Sequence, residues 1–175
     1  LRRLLPPREK ANPNEEYTAE LRKLCEPLEE IVQKWIRGGS DEIKWLEERM
    51  LRPNADQEDE HKSTINDALA SMAVFALGDM RDENAHLRLI AAFKEGKISE
   101  VIRWAITDAL ASLDPEMVMN EAILPIIESG KLDDPVKHSE RREQLIYLIG
   151  QLRHPSEKAR AFVVDVLKSP RKIIL

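Results

Sequence analysis

A break in the helical pattern recurs three times at nearly equal spacing, and it constrains the fold more than any other feature. The stretches are ALGDMRDENA (residues 76–85), SLDPEM (112–117) and QLRHPSEKA (151–159). Each follows a helix-forming run that ends in a leucine, and each leads into a second run with apolar residues at helical spacing. These leucines are Leu77, Leu113 and Leu152. The pattern predicts three helical hairpins between residues 63 and 169.

A single hairpin of this kind has an apolar face that it cannot cover alone. Stacking of neighbouring hairpins buries that face, and the chain then grows as an α-solenoid. The alternative is an irregular helical bundle. The composition agrees with an all-α fold, because glycine and aromatic residues are few, with six Gly and three Phe, while hydrophobic residues make up 42% of the chain.

The three segments LGDMRDENAHLRLIAAF, LASLDPEMVMNEAILPII and IGQLRHPSEKARAFVVDVL resemble HEAT repeats, including the short HEAT-like repeats. In that family the first helix ends in a leucine, a short turn with Asp or Pro follows, and the second helix carries a basic residue. Arg88 and Arg160 stand where this basic residue would fall. LDDPVK (132–137) also resembles a HEAT turn, with Pro125 as the kinking proline, so the register of first and second helices stays open. The resemblance implies a protein-interaction surface more than a reaction.

The chain divides into four segments on these criteria. Residues 1–13 contain three prolines and are expected to be an arm or linker, and residues 14–62 an N-terminal helical hairpin that acts as a capping repeat. Residues 63–169 hold the three HEAT-like hairpins, and residues 170–175 are a C-terminal tail. Because the first residue is Leu1, we expect the chain to be a piece of a longer protein.

Caps and breakers predict where the helices begin and end. Expected N-caps are Ser63, Ser99 and Asp114, expected stops are Gly78 and Gly130, Pro125 should kink its helix, and Pro155 should be the first residue of the last helix. The helix after Ser63 is expected to bury the stripe Ile65, Ala68, Leu69, Met72, Ala73, Ala76 and Leu77. Trp35 and Trp104 adjoin apolar stripes and are expected in the core, whereas Trp45 lies beside its stripe and is the candidate exposed anchor.

Charge and cysteine content restrict the setting. The net charge is −5, but residues 138–175 carry eight Lys and Arg against four Asp and Glu. Cys25 cannot form an internal disulfide, which suits a reducing, cytoplasmic location. No apolar run reaches the roughly 20 residues that a membrane span needs, so no membrane contact is expected.

No catalytic or cofactor motif is visible in the sequence. The phosphate-binding glycine patterns and the HExxH zinc pattern are absent, and the acidic stretch at 54–62 lacks the spacing of a calcium loop. We therefore expect no enzymatic activity, no cofactor and no metal. A small-molecule enzyme would need a deep pocket with convergent polar groups, and it is the least favoured of three hypotheses.

The sequence favours a non-catalytic interaction or regulatory scaffold module whose partner is another protein or another domain of the same chain. The stacked second helices would form a shallow concave face. Its candidate contact residues are Trp45, Arg88, Glu121, Lys158 and Arg160. The alternative is a nucleic-acid-binding HEAT-like module that uses the basic C-terminal repeat, since phosphate binding needs several cations on one face. The cations available for it are Arg141, Arg142, Arg153, Lys158, Arg160, Lys168, Arg171 and Lys172.

Overall fold

The structure, a computed structural model, describes residues 13–51, 60–95, 98–130, 132 and 138–168, with side chains from residue 25 onward except at 60–64. The helices are α1 (Pro13–Arg37), α2 (Ser40–Leu51), α3 (Glu60–Asp79), α4 (Glu83–Glu95), α5 (Glu100–Ala111), α6 (Pro115–Val118), α7 (Leu124–Glu128), α8 (Ser139–Leu152) and α9 (Glu157–Lys168). A π-helical turn, Met119–Ile123, joins α6 and α7 into one continuous helix. These described ranges hold helices and turns and no strand, so the predicted all-α class is confirmed.

Capping side chains begin two helices where the sequence predicts them. The Ser99 hydroxyl accepts a hydrogen bond from the Ile102 N–H at 3.4 Å, and the Asp114 carboxylate accepts one from the Met117 N–H at 2.9 Å. These bonds satisfy N–H groups that have no partner within the first turn of a helix. Gly130 follows the end of α7 with a φ of +66°, a conformation that glycine adopts without steric cost. The predicted caps Ser99 and Asp114 and the predicted stop at Gly130 are confirmed.

Pro125 disturbs its helix by widening the turn that precedes it. A proline has no N–H to donate to the carbonyl four residues earlier, so the α-helical pattern cannot pass through it unchanged. The Leu124 N–H instead reaches the Met119 carbonyl five residues back. The expected irregularity at Pro125 is therefore a π-helical turn, whose residues Met119, Ala122 and Ile123 are buried.

The predicted start of α3 is wrong, whereas its predicted stop falls one residue before the observed end. The helix already begins at Glu60, so Ser63 lies inside it and is not its N-cap. Gly78 is the penultimate residue of α3, and the helix ends at Asp79. A Cβ at residue 78 would lie only 3.1 Å from the Cβ of Ala109 in α5. The glycine is needed for the close approach of two helices.

The predicted start of the last helix at Pro155 is also wrong. Arg153 ends α8 in the left-handed conformation, with a φ of +52°, and residues 154–156 follow before the chain turns into α9. The Ser156 hydroxyl accepts from the Ala159 N–H at 3.3 Å. The N-cap is therefore Ser156, and α9 begins at Glu157.

The helices pack in two rows. In the first row, α1, α3, α5 and α8 each contact the next member. In the second row, α2 contacts α4, α4 contacts the π-helical turn, and α7 contacts α9. Contacts also join the rows, since α3 packs against α2 and α4, and α8 against the π-helical turn and α9.

One continuous apolar core lies between the two rows. Its largest fully buried side chains come from both rows and include Leu46, Phe93, Leu110, Ile123 and Leu145. Because the first-row helices bury the side that faces the second row, their opposite side remains exposed to solvent. No helix within the described ranges combines the length and the apolar composition of a membrane span.

Candidate interaction surfaces

The five candidate contact residues all lie on second-row helices, and the structure engages two of them in ion pairs. Arg88 in α4 pairs with Glu47 in α2, with 3.0 Å between Nη1 and Oε2. Lys158 in α9 pairs with Glu128 in α7. Glu121 is exposed on the π-helical turn. Arg160 is exposed on α9 and has no ion pair with a described residue. The paired cations join neighbouring helices of the second row.

The three tryptophans differ from their predicted exposure. Trp35 was expected in the core, but its side chain is 41% exposed on α1, and that prediction is wrong. Trp45, the predicted anchor, is half-buried and packs against the core, with the Lys34 ammonium 5.8 Å from its ring centroid. Trp104 is half-buried, and its ring meets that of Tyr147 edge to face at 5.7 Å.

Fewer cations of the basic C-terminal segment are exposed than the sequence predicts. Arg141 lies over the Phe93 ring at 4.0 Å and donates a hydrogen bond to the Phe93 carbonyl at the end of α4. Burial, together with the charge of Arg103, lowers the pKa of Arg141 to about 10. Arg142 is buried, 6.0 Å from the Phe162 ring, and pairs with Asp165 at 3.4 Å. These two guanidinium groups serve packing, so they are not part of an exposed basic face.

An exposed surface of a different character covers the outer side of α3, α5 and α8, and we call it the acidic apolar face. Its apolar members are Ile65, Ala68, Met72, Phe75, Val101 and Tyr147, and its acidic members are Asp79, Glu100, Asp108 and Glu143. Along α3 these residues recur at the three- and four-residue steps of one helical stripe. Among the side chains that the structure describes on these three helices, none is an exposed Lys or Arg.

Contacts along their length show that α3 and α5 run parallel. Towards their N-terminal ends, the Ser99 hydroxyl lies 3.4 Å from an Asp67 carboxylate oxygen. Towards their C-terminal ends, Gly78 adjoins Ala109. The two residues of the first contact are 32 positions apart in sequence and those of the second are 31 apart, so the helices run side by side in the same direction. Met72 and Phe75 therefore lie level with the middle of α5. A cleft of about 490 Å³ lies between Phe75 on α3 and the end of α5.

α5 and α8 are likewise parallel neighbours. Arg103 pairs with Glu140 at 2.8 Å, and further along, the Tyr147 hydroxyl donates to the Asp108 carboxylate at 3.0 Å. This hydrogen bond, and then the negative charge of Asp108, raise the pKa of Tyr147 above its usual value of 10.0. The bond and the ring contact with Trp104 hold Tyr147 on the outer surface.

Sequence reasoning missed this face because α3 is apolar on nearly all sides. Ile65, Ala68 and Met72 were expected in the core, but they are exposed, whereas Ala70, Val74 and Met80 are buried. The predicted stripe therefore combined residues from two sides of one helix. The signal that was available is Phe75, an apolar residue that falls outside the predicted buried stripe.

No three His, Cys, Asp or Glu side chains lie close enough to hold a metal ion within the part of the chain that the structure describes. Comparison of the chain with protein-family models, with curated proteins and with solved structures found no match.

Proposed function

We propose that the chain is a non-catalytic interaction or regulatory scaffold module that binds another protein or another domain of its own chain. The observation that carries this proposal is the acidic apolar face. Met72 is 42% exposed and Phe75 is 46% exposed, and Tyr147 and Val101 are exposed on the neighbouring helices. Large apolar side chains that gather on one surface, instead of being scattered singly, are typical of protein-binding sites.

The architecture we propose is an α-solenoid of HEAT-like hairpins. The contacts between helices support it, because most helices touch a neighbour next to them in the chain and a neighbour two places away. Such a stack presents one long side of each row to solvent, and it can grow by adding hairpins without changing the existing contacts. An elongated surface made from several helices suits an extended partner better than a small ligand.

The geometry favours the first row over the second as the binding surface. On the second row, Arg88 and Lys158 are held by Glu47 and Glu128 of adjacent helices, so those charges are partly neutralised before any partner arrives. On the first row, the acidic residues Asp79 and Glu143 have no ion pair with a described residue. The predicted second-row contacts stay a prediction, and the same experiment tests both rows.

The test is site-specific photo-crosslinking in cells that produce the protein. A benzophenone amino acid replaces Phe75 on the first row in one variant and Leu87 on the second row in the other. Leu87 is a matched control because it is 40% exposed, close to the 46% of Phe75. We expect a discrete crosslinked protein from position 75 and none from position 87. The absence of any discrete product from position 75 would refute the proposed function on this face.

A further inference from the structure

We infer that the partner of the acidic apolar face is a basic amphipathic helix that crosses α3, α5 and α8. This inference rests on the proposed function, since it specifies the chemistry of a partner for the same surface. It is carried by the combination of exposed apolar side chains with acidic side chains, and by the lack of an exposed cation among the side chains that the structure describes on the same three helices.

The apolar part of the face can receive one apolar side of a helix. Met72 and Phe75 lie one turn apart on α3, and Tyr147 is fixed on α8 by Asp108 and by the ring of Trp104. Methionine adapts its shape to different partners, and aromatic side chains bury a large area with little loss of conformational freedom. Leucine or similar apolar residues, spaced three and four positions apart on a partner helix, would pack against these exposed side chains.

The charged part of the face selects the polar side of that helix. Asp79, Glu100 and Glu143 are exposed and have no ion pair with a described residue. Asp108 is also exposed, and it accepts only the neutral Tyr147 hydroxyl among the described residues. Lys or Arg beside the apolar stripe of a partner would be attracted to these carboxylates, whereas an acidic partner would be repelled, which directs specificity as well as association rate.

Two exposed cations that border the C-terminal end of α3 do not reverse the charge of this face. Arg81 is exposed in the turn between α3 and α4, and Arg37 is exposed at the end of α1. Both line a cleft together with Asp79 and Asp82, so carboxylates match them in number there. Asp114, at the start of α6, lines the neighbouring cleft beside α5. The edge of the face therefore stays acidic on the side of α5.

The dimensions of the face set the length of the partner. Neighbouring helices pack about 8–10 Å apart, so α3, α5 and α8 span roughly 16–20 Å from axis to axis. The stripe from Ile65 to Phe75 runs along about 15 Å of α3 at 1.5 Å per residue. A helix of about 14 to 18 residues, which is about 21–27 Å long, covers the three helices.

The second row does not offer the same chemistry. Lys44 pairs with Glu48 at 4.0 Å, and Arg88 is paired with a carboxylate of α2. Lys94 and Arg160 are exposed on α4 and α9. Exposed carboxylates such as Glu48, Glu83 and Glu121 stand among these cations. A basic helix would therefore meet charges of both signs on the second row and only carboxylates on the acidic apolar face, and this difference allows matched controls on one protein.

The probe is a fluorescein-labelled peptide at the upper end of this length range, with Leu at helical spacing on one side and Lys at all other positions. Its binding to the full chain is measured by fluorescence anisotropy at ionic strengths between about 50 and 300 mM, where charge screening increases strongly. The two control peptides have the same length. One has Glu in place of every Lys, and the other has the same composition in a scrambled order that removes the apolar side.

Two variant pairs separate the apolar contribution from the charge contribution. Met72→Ser with Phe75→Ser should weaken binding at least tenfold, whereas Leu87→Ser should change it less than twofold. Asp79→Lys with Glu143→Lys should also weaken binding at least tenfold, whereas Glu121→Lys on the second row should change it less than threefold. Asp79 is the last residue of α3, where a cation is favourable for the helix dipole, so that substitution is compatible with folding.

Three outcomes overturn the inference. The first is equal binding of the Lys and Glu peptides, and the second is equal weakening by the first-row variants and their second-row controls. The third is dimerisation of the chain itself that Met72→Ser with Phe75→Ser abolishes, measured by sedimentation equilibrium, because a second copy would then occupy the face. If the peptide does not bind but position 75 still crosslinks to a discrete protein, the partner chemistry is wrong and the proposed function stands.

Discussion

The close approach of α3 and α5 predicts a strong energetic coupling between Gly78 and Ala109. Gly78 is the penultimate residue of α3, so Gly78→Ala should gain at most the roughly 1 kcal/mol that helix propensity contributes in a helix interior. The new methyl group would lie 3.1 Å from the Cβ of Ala109, well inside the roughly 3.5–4.0 Å that carbon atoms prefer. Overpacking of this kind costs about 1–3 kcal/mol, so the single substitution should be neutral or destabilise by up to about 3 kcal/mol.

Ala109→Gly removes the methyl group that a Cβ at residue 78 would contact. Ala109→Gly alone should destabilise by about 1–2 kcal/mol, from the loss of helix propensity and of a buried methyl group. In the double variant the small and the large residue have exchanged helices, the contact fits again, and the stability should return close to that of the wild type. The expected coupling free energy is at least about 1 kcal/mol, whereas independent sites add within about 0.5 kcal/mol.

The assay is urea denaturation of the four proteins, followed by circular dichroism in the far ultraviolet. The coupling free energy is the change in the free energy of unfolding of the double variant minus the sum of the changes in the two single variants. If the two effects are additive within error, the two residues are not in contact. The parallel packing of α3 and α5, and with it the position of Phe75 beside α5, would then be wrong.

Three further predictions concern polar contacts between and within the helices. In a Tyr17→Phe background, ultraviolet titration should give Tyr147 a pKa above 10, and Asp108→Ala should lower that pKa. The hydrogen bond is present below pH 10, and its contribution to stability is lost as the pH rises through the raised pKa. A titration midpoint that Asp108→Ala leaves unchanged would contradict the contact. Ser99→Ala should lower the free energy of unfolding by about 1 kcal/mol through loss of the cap on α5, and urea denaturation would show no change if that cap is absent. Arg88→Ala should cost less than about 1 kcal/mol, and less still at high salt, because this ion pair is half exposed; a larger loss, unaffected by salt, would mean that the side chain supports the core.

Local signals in the sequence predicted the helix boundaries well wherever one side chain decides the outcome. Ser99 and Asp114 cap their helices because a short side-chain acceptor follows a turn, and Gly130 adopts a left-handed φ. Gly78 marks the end of α3 to within one residue, but the sequence could not predict its contact with Ala109, which lies on another helix and is distant in sequence. Arg153 has the left-handed conformation that is usually found at glycine, and its residue type does not predict this conformation.

The candidate surface was harder to predict because exposure depends on which sides of a helix find neighbours. α5 is apolar on one broad side only and buries it, with Ile102, Ile106 and Leu110 in the core. α3 is apolar on most sides and is contacted by α1, α2, α4 and α5, so periodicity alone cannot say which apolar residues stay outside. Periodicity therefore predicts Met72 in the core although it is exposed, whereas Trp35 is predicted there because it adjoins the apolar stripe of α1.

The most direct test of the central claim uses the methyl groups of the methionines as reporters. Met72 is exposed on the acidic apolar face, whereas Met50 and Met119 are buried in the second row and Met117 is half-buried on α6. The protein is labelled with 13C at the methionine methyls, and the basic amphipathic peptide is added during a series of two-dimensional NMR spectra. We predict that the Met72 resonance shifts in a saturable way while those of Met50, Met117 and Met119 keep their positions. A saturable shift at Met117 with none at Met72 would contradict the account.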